Sequence, residues 1–115
     1  MYGAEPTGAD DAARSLAQGA RVEPFQSDTL CDGLRTLIGA PNFDALRTHR
    51  TQVITVSDEE TIAAMKLLWR ELKLVVEVSS ATVLAAVLKQ AEHFAGRRVG
   101  LVLTGGNVDL DALPW

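Results

Sequence analysis

The chain has 115 residues, 47% of them hydrophobic and 23% charged, with a net charge of −4, which is the size and balance of one small soluble domain. That acidic balance lacks the basic face that phosphate backbones select for, so nucleic acid is excluded as an expected partner. The longest apolar run, Ala81 to Leu88, is far below the roughly 20 residues of a membrane span, and no leader-like segment precedes it, so a cytoplasmic protein without a membrane partner is expected.

Tyr2-Gly3-Ala4-Glu5 reads as a strand with no cap or helix before it, and Pro6 favours an extended residue ahead of it. Ala9 to Gln18 has helical composition, with Asp10 and Asp11 in the first turn, where the helix dipole favours carboxylates, and Gly19 as its stop. Ala20 to Gly39 carries little periodicity and reads as a surface excursion that includes Thr29-Leu30-Cys31-Asp32-Gly33 and then a short helical stretch. Asn42 is the expected cap of a helix from Phe43 to about Arg50, and Gln52 to Val56 is a short β-branched strand.

Ser57-Asp-Glu-Glu60 has the spacing of a capping box, which predicts a helix whose inner face carries Ile62, Met65, Trp69 and Leu72. Leu74 to Val78 is expected to be a strand. Ser79-Ser80 then leads into Ala81–Leu88, small and apolar on nearly every side, a helix packed all round and ended by Gly96. Val99 to Leu103 predicts a last strand buried on both faces. This order implies an α/β layer with a mostly parallel sheet and flanking helices. His49 and His93 sit at helix ends, where a cation meets exposed carbonyls. They and Cys31, the single cysteine, lie too far apart in sequence to suggest a zinc cluster. Cys31 is expected to act as a small buried hydrophobe.

The last apolar run breaks into Thr104-Gly105-Gly106-Asn107, and the chain opens with Gly3-Ala4-Glu5-Pro6-Thr7-Gly8-Ala9-Asp10-Asp11. With Cys31-Asp32-Gly33 and Glu77-Val78-Ser79-Ser80-Ala81, these segments resemble the serine racemase and serine/threonine dehydratase family, pyridoxal-phosphate enzymes of the tryptophan synthase β fold. The resemblance implies that residues 1–115 are the C-terminal part of the enzyme domain, a partial large domain. In that family the lysine that holds the cofactor and the glycine-rich loop for its phosphate lie N-terminal to the Gly-x-Glu-Pro strand. Lys66, Lys73 and Lys89 match no such context. No catalytic residue is therefore assigned within the chain, Met1 is read as an internal or truncated start, and the isolated chain is expected to be inactive.

By the same resemblance, the Thr104 hydroxyl bonds the cofactor's pyridine nitrogen where the family usually has serine, Gly33 lets backbone approach the ring, and Glu77 lies near the ring. Gly105 lets the turn close tightly, and Asn107 either closes that turn or supports the cofactor loop. Val78 stands where the family usually has proline. Read without the family, Thr104 to Gly106 is a plain turn, Glu77 a surface carboxylate at a strand end, and Asp10 and Asp11 complements of a helix dipole. Glu5, Asp11 and the Ala9 carbonyl match a divalent-cation site, a set of oxygen ligands that suits Mg²⁺ or Ca²⁺. The implied parent is a homodimer that dehydrates or racemises β-hydroxy amino acids such as serine, threonine or hydroxyaspartate. The alternative is a small non-enzymatic α/β module in which the Thr-Gly-Gly-Asn turn binds an anion and Glu5 with Asp11 a cation.

Overall fold

The computed structural model describes residues 1–115. Strand β1 (Tyr2–Pro6) pairs in parallel with β2 (Gln52–Val56), Tyr2 opposite Gln52 and Pro6 opposite Val56. Parallel strands need a long crossover. It is supplied by a 3₁₀ turn (Thr7–Ala9), helix α1 (Asp11–Gln18), an irregular excursion with a second 3₁₀ turn (Asp32–Leu34), and helix α2 (Ala40–Thr48). After β2 come α3 (Asp58–Leu67), prolonged by a π turn (Leu68–Leu72), then α4 (Val78–Lys89) and the single-turn α5 (Ala91–Phe94). Alternation along the strands splits the sheet into two faces. Ala4, Ile54 and Val56 join the core beneath α3 and α4, while Gly3, Glu5 and Val53 face a cavity bordered by Ala12 of α1.

Two expected strands are absent. Residues 74–78 and 99–103 run without a ladder, and the sheet has two strands. Val99 is 41% exposed and Val102 73% exposed, against the expectation of burial on both faces. An apolar run forms a central parallel strand only between hydrogen-bonding neighbours. Here the two segments meet at their far ends, where the Glu77 amide donates to the Gly105 carbonyl at 3.1 Å.

Helix boundaries follow local chemistry. The 3₁₀ turn takes up Ala9, so α1 starts at Asp11; it ends as expected at Gly19, which sits at φ +77°. Helix α2 starts three residues earlier than expected, because Gly39 is its cap and Pro41 lies in its first turn, where a missing N–H costs nothing. Asn42 is therefore inside the helix. Helix α4 starts at Val78 and stops at Lys89, and Gly96, at φ +73°, lies beyond α5. No helix is long and apolar enough to cross a membrane.

The capping box of α3 is complete. The Glu60 amide donates to Ser57 Oγ at 3.1 Å, and Glu60 Oε2 accepts from the Ser57 amide at 2.7 Å. The Ser57 amide, then the Lys89 ammonium 3.0 Å away, hold the Glu60 carboxyl below the usual carboxylate range. The buried face of α3 is Thr61, Ala64, Met65 and Leu68. It is rotated from the expected stripe: Leu72, placed inside by a 3.6 period, is 60% exposed because the π turn widens the last turn. Against this face pack Ala81, Ala85 and Ala86 of α4. Replacing Ser57 with alanine removes one half of the box and is expected to lower stability by about 1 kcal/mol, read from the urea midpoint at constant m-value. An unchanged midpoint would show that the cap contributes nothing.

Candidate functional site

Two groups of side chains hold the crossover segment, one from α4 and one from β1 and α1. The first gathers at the N-terminus of α4. Glu77, half-buried, is the residue before the helix, and its Oε2 accepts from the Asn107 amide at 3.1 Å. Ser80 Oγ accepts from the Gly105 amide at 2.8 Å and donates to the Gly105 carbonyl at 3.1 Å. Ser79 Oγ accepts from the Gly33 amide at 3.0 Å, and Asp32 Oδ1 accepts from the same amide at 2.9 Å. Helix α4 thus holds both loops.

The Glu77 carboxylate lies between the two glycines. A Cβ built on Gly105 would fall 2.2 Å from Glu77 Cδ, and one on Gly33 would fall 3.4 Å from Glu77 Oε1 and 3.1 Å from Ser79 Oγ. Gly105 is needed for close approach rather than for an unusual φ, and at Gly33 a Cβ would fit only tightly. Thr104, next to Gly105, is exposed. Gly33, Glu77, Thr104, Gly105 and Asn107, named from the sequence, therefore share one region. Val78 is the first residue of α4, a position that proline also favours, so this substitution keeps the turn.

The second group lies at the end of β1. Glu5 accepts from the Ala12 and Ala13 amides, at 3.2 and 2.9 Å, and so closes the start of α1. Asp11 is buried, and its Oδ2 accepts from the Ile38 amide at 2.6 Å. Ala9 is buried in the turn between them. Neither carboxylate forms an ion pair with Lys or Arg. Burial pushes the Glu5 carboxyl up; the two amide donors oppose this, and the charges of Asp11 and Asp10 reinforce it. A cavity of about 480 Å³ reaches from Glu5 and Asp11 to Gly33, with Leu34, Ile38 and Leu46 among its walls. Gly33 is the residue of the first group that borders this cavity.

Cys31, fully buried beside this region, has its thiol pushed up to about 11 by burial, so it is a packing residue at neutral pH. His93 takes a contact that the sequence did not suggest: Nε2 lies 2.6 Å from the Tyr2 hydroxyl, tying α5 to β1. Ser80 was also missed. Its signal was available, since a hydroxyl pair immediately before an apolar helix commonly serves backbone groups nearby.

The sequence model of the family described as pyridoxal-phosphate dependent enzyme matches residues 1–105. The chain belongs to this family. It is 46% identical over 115 residues to a β-hydroxyaspartate dehydratase of Paracoccus denitrificans, covering 100% of this chain and 36% of that protein. A serine racemase of Dictyostelium discoideum is 41% identical, with 98% and 36% covered. Among solved structures, a maize serine racemase superposes with a TM-score of 0.88 at 38% identity, covering 96% of this chain and 36% of that one. The chain therefore spans about a third of the length of these relatives. The partial parallel α/β layer is that of the family.

The seat of Glu77 gives a direct test. Gly105→Ala must displace the carboxylate and is expected to cost about 1–3 kcal/mol in urea unfolding. In a Glu77→Gly background the same change should cost at least about 1 kcal/mol less, because the clash has gone. Additive effects would mean that the two residues do not touch.

Proposed function

We propose that this chain is the C-terminal part of a pyridoxal-phosphate enzyme that dehydrates or racemises β-hydroxy amino acids, and that it contributes one wall of the cofactor pocket. The observation that carries this reading is the convergence of Gly33, Glu77 and Gly105, with Thr104 beside them, in a chain of this family. The residues fit the cofactor. Gly33 keeps a face free of Cβ, and Thr104 offers an exposed hydroxyl for a ring heteroatom.

When bound, pyridoxal phosphate supplies an electron sink for the bond pair released as the substrate's α proton leaves. Thr104 would offer the pyridine nitrogen a neutral hydroxyl, which, unlike a carboxylate, would not hold that nitrogen protonated and would so favour elimination at Cβ over deeper carbanion chemistry. Glu77, fixed by the Asn107 amide, would present its carboxylate beside the ring, and Gly33 and Gly105 leave room for that carboxylate between them. Lys66 stacks over Trp115, Lys73 bonds the Arg70 carbonyl and Lys89 pairs with Glu60, so no lysine borders the cavity. The covalent lysine is therefore assigned to the part of the enzyme outside this chain, and the chain alone is expected to be inactive. The same reading makes the whole enzyme a cytoplasmic homodimer acting on free amino acids.

Glu5, Asp11 and the Ala9 carbonyl are proposed to hold Mg²⁺ or Ca²⁺. No group of three or more His, Cys, Asp or Glu side chains is placed to hold a metal, so the set would be two carboxylates, one carbonyl and water. A buried Asp11 beside a half-buried Glu5, whose carboxyl is pushed up by burial and by the Asp11 charge, with no cationic side chain paired to either, suits such an ion. Because the folded pKa of Glu5 is raised, the folded state holds a proton that the unfolded state has released above about 4.5. Stability should fall as pH rises from there through the folded pKa. Urea melts in chelator are expected to show this fall, Glu5→Gln to lack it, and millimolar Mg²⁺ to offset it at pH 7. A wild-type profile matching that of Glu5→Gln would remove the basis for the site.

The enzymatic reading is tested by grafting this chain in place of the matching third of the Paracoccus denitrificans dehydratase and following ammonia release from β-hydroxyaspartate. Thr104→Ala is expected to lower turnover roughly tenfold, the loss of one hydrogen bond of about 1.4 kcal/mol, while Thr104→Ser retains it. Equal turnover in the alanine and serine variants would overturn the role of Thr104.

A further inference from the structure

Asp58 opens α3, where an acidic residue ordinarily does no more than complement the helix dipole. The capping box formed by Ser57 and Glu60 already serves the helix amides, and the Asp58 carboxylate turns away from them. Its Oδ1 accepts from the Thr29 hydroxyl at 2.5 Å and its Oδ2 from the Leu30 amide at 2.8 Å. No Lys or Arg pairs with it. Both oxygens are committed to a segment 28 and 29 residues away in sequence.

Thr29 is gripped at three points. Its hydroxyl also accepts from the Cys31 amide at 3.1 Å, and its carbonyl accepts from Arg35 Nε at 2.9 Å and Nη2 at 2.6 Å. The Leu34 amide closes the turn on the Cys31 carbonyl at 2.9 Å. Gly33 lies within this knot, reaching α4 through Ser79 and the cavity through its open face. The loop that carries Gly33 belongs to no strand or long helix, so side chains of α3 and α4 set its position.

We propose that Asp58 is a positioning residue: through Thr29 and Leu30 it fixes the Cys31-Asp32-Gly33 turn, and with it the Gly33 backbone, at the edge of the cofactor pocket. The cofactor part of this statement rests on the reading of Gly33 given under Proposed function; the anchoring does not.

Residue-resolved amide exchange on the 115-residue chain tests the anchoring without any cofactor. Asp58→Ala is expected to speed exchange at Cys31, Gly33 and Leu34 at least about tenfold, while Ala85 in α4 keeps its rate. These amides donate to groups other than Asp58, so a rise there reports release of the turn. Asp58→Asn keeps one acceptor oxygen and should fall between. Ser57→Ala weakens the same helix end without touching the loop and serves as the control. In the grafted enzyme, Asp58→Ala is expected to raise the pyridoxal phosphate Kd about tenfold, whereas Ser57→Ala leaves it unchanged. A faster rate confined to Leu30, an equal rise in Ser57→Ala, or released amides with an unmoved cofactor Kd would each overturn the proposal. A graft that binds no cofactor with Asp58 in place defeats the proposed function, and the exchange measurement still decides the anchoring.

Discussion

Close packing of α4 on α3 and on both strands is the constraint from which the site hangs. The contact is made through alanine: Ala64 on α3 and Ala81, Ala85 and Ala86 on α4 are nearly or fully inaccessible. Small side chains let the helix axes approach, which fixes where the first turn of α4 points. Glu77, Ser79 and Ser80 sit at that turn, and through them both glycine loops are placed.

The carboxylates of the site share a mode of support. Glu5 is held by two helix amides, Asp11 by the Ile38 amide and Glu77 by the Asn107 amide, with no guanidinium or ammonium beside any of them. Backbone donors orient a carboxylate without pairing its charge, and Glu5 and Asp11 both line the cavity. The ion pairs that do exist lie elsewhere, on solvent-facing flanks such as Arg14–Asp10 and Arg47–Asp44. Such exposed pairs contribute little to stability.

Much of this was legible because it is local chemistry. Gln52 to Val56, the Ser57–Glu60 box and the Gly19 stop each follow from neighbouring residues, and the structure has all three. The opening Gly-Ala-Glu-Pro segment and the Thr-Gly-Gly-Asn turn carried the family. Where the reading failed, the deciding partner was distant. Leu74 to Val78 and Val99 to Leu103 have strand composition, but a parallel strand is made by its neighbours, which no local pattern supplies. Leu72 was misplaced because a π turn breaks the 3.6 period after Leu67. The Asp58 contact with Thr29 spans the second half of the crossover and all of β2, and left no trace in spacing. Convergence of Gly33 with Gly105 is of the same kind, hidden until α4 brings the two loops together.

The reciprocal bond between Ser80 and Gly105 replaces with one hydroxyl what a sheet would supply with a rung of backbone. A single oxygen gives and receives at the same residue, so the Thr104 turn takes its placement from the start of a helix, through Ser80 and the Glu77 amide. The placement of this corner is thereby helix-borne: whatever shifts the first turn of α4 carries the loop with it.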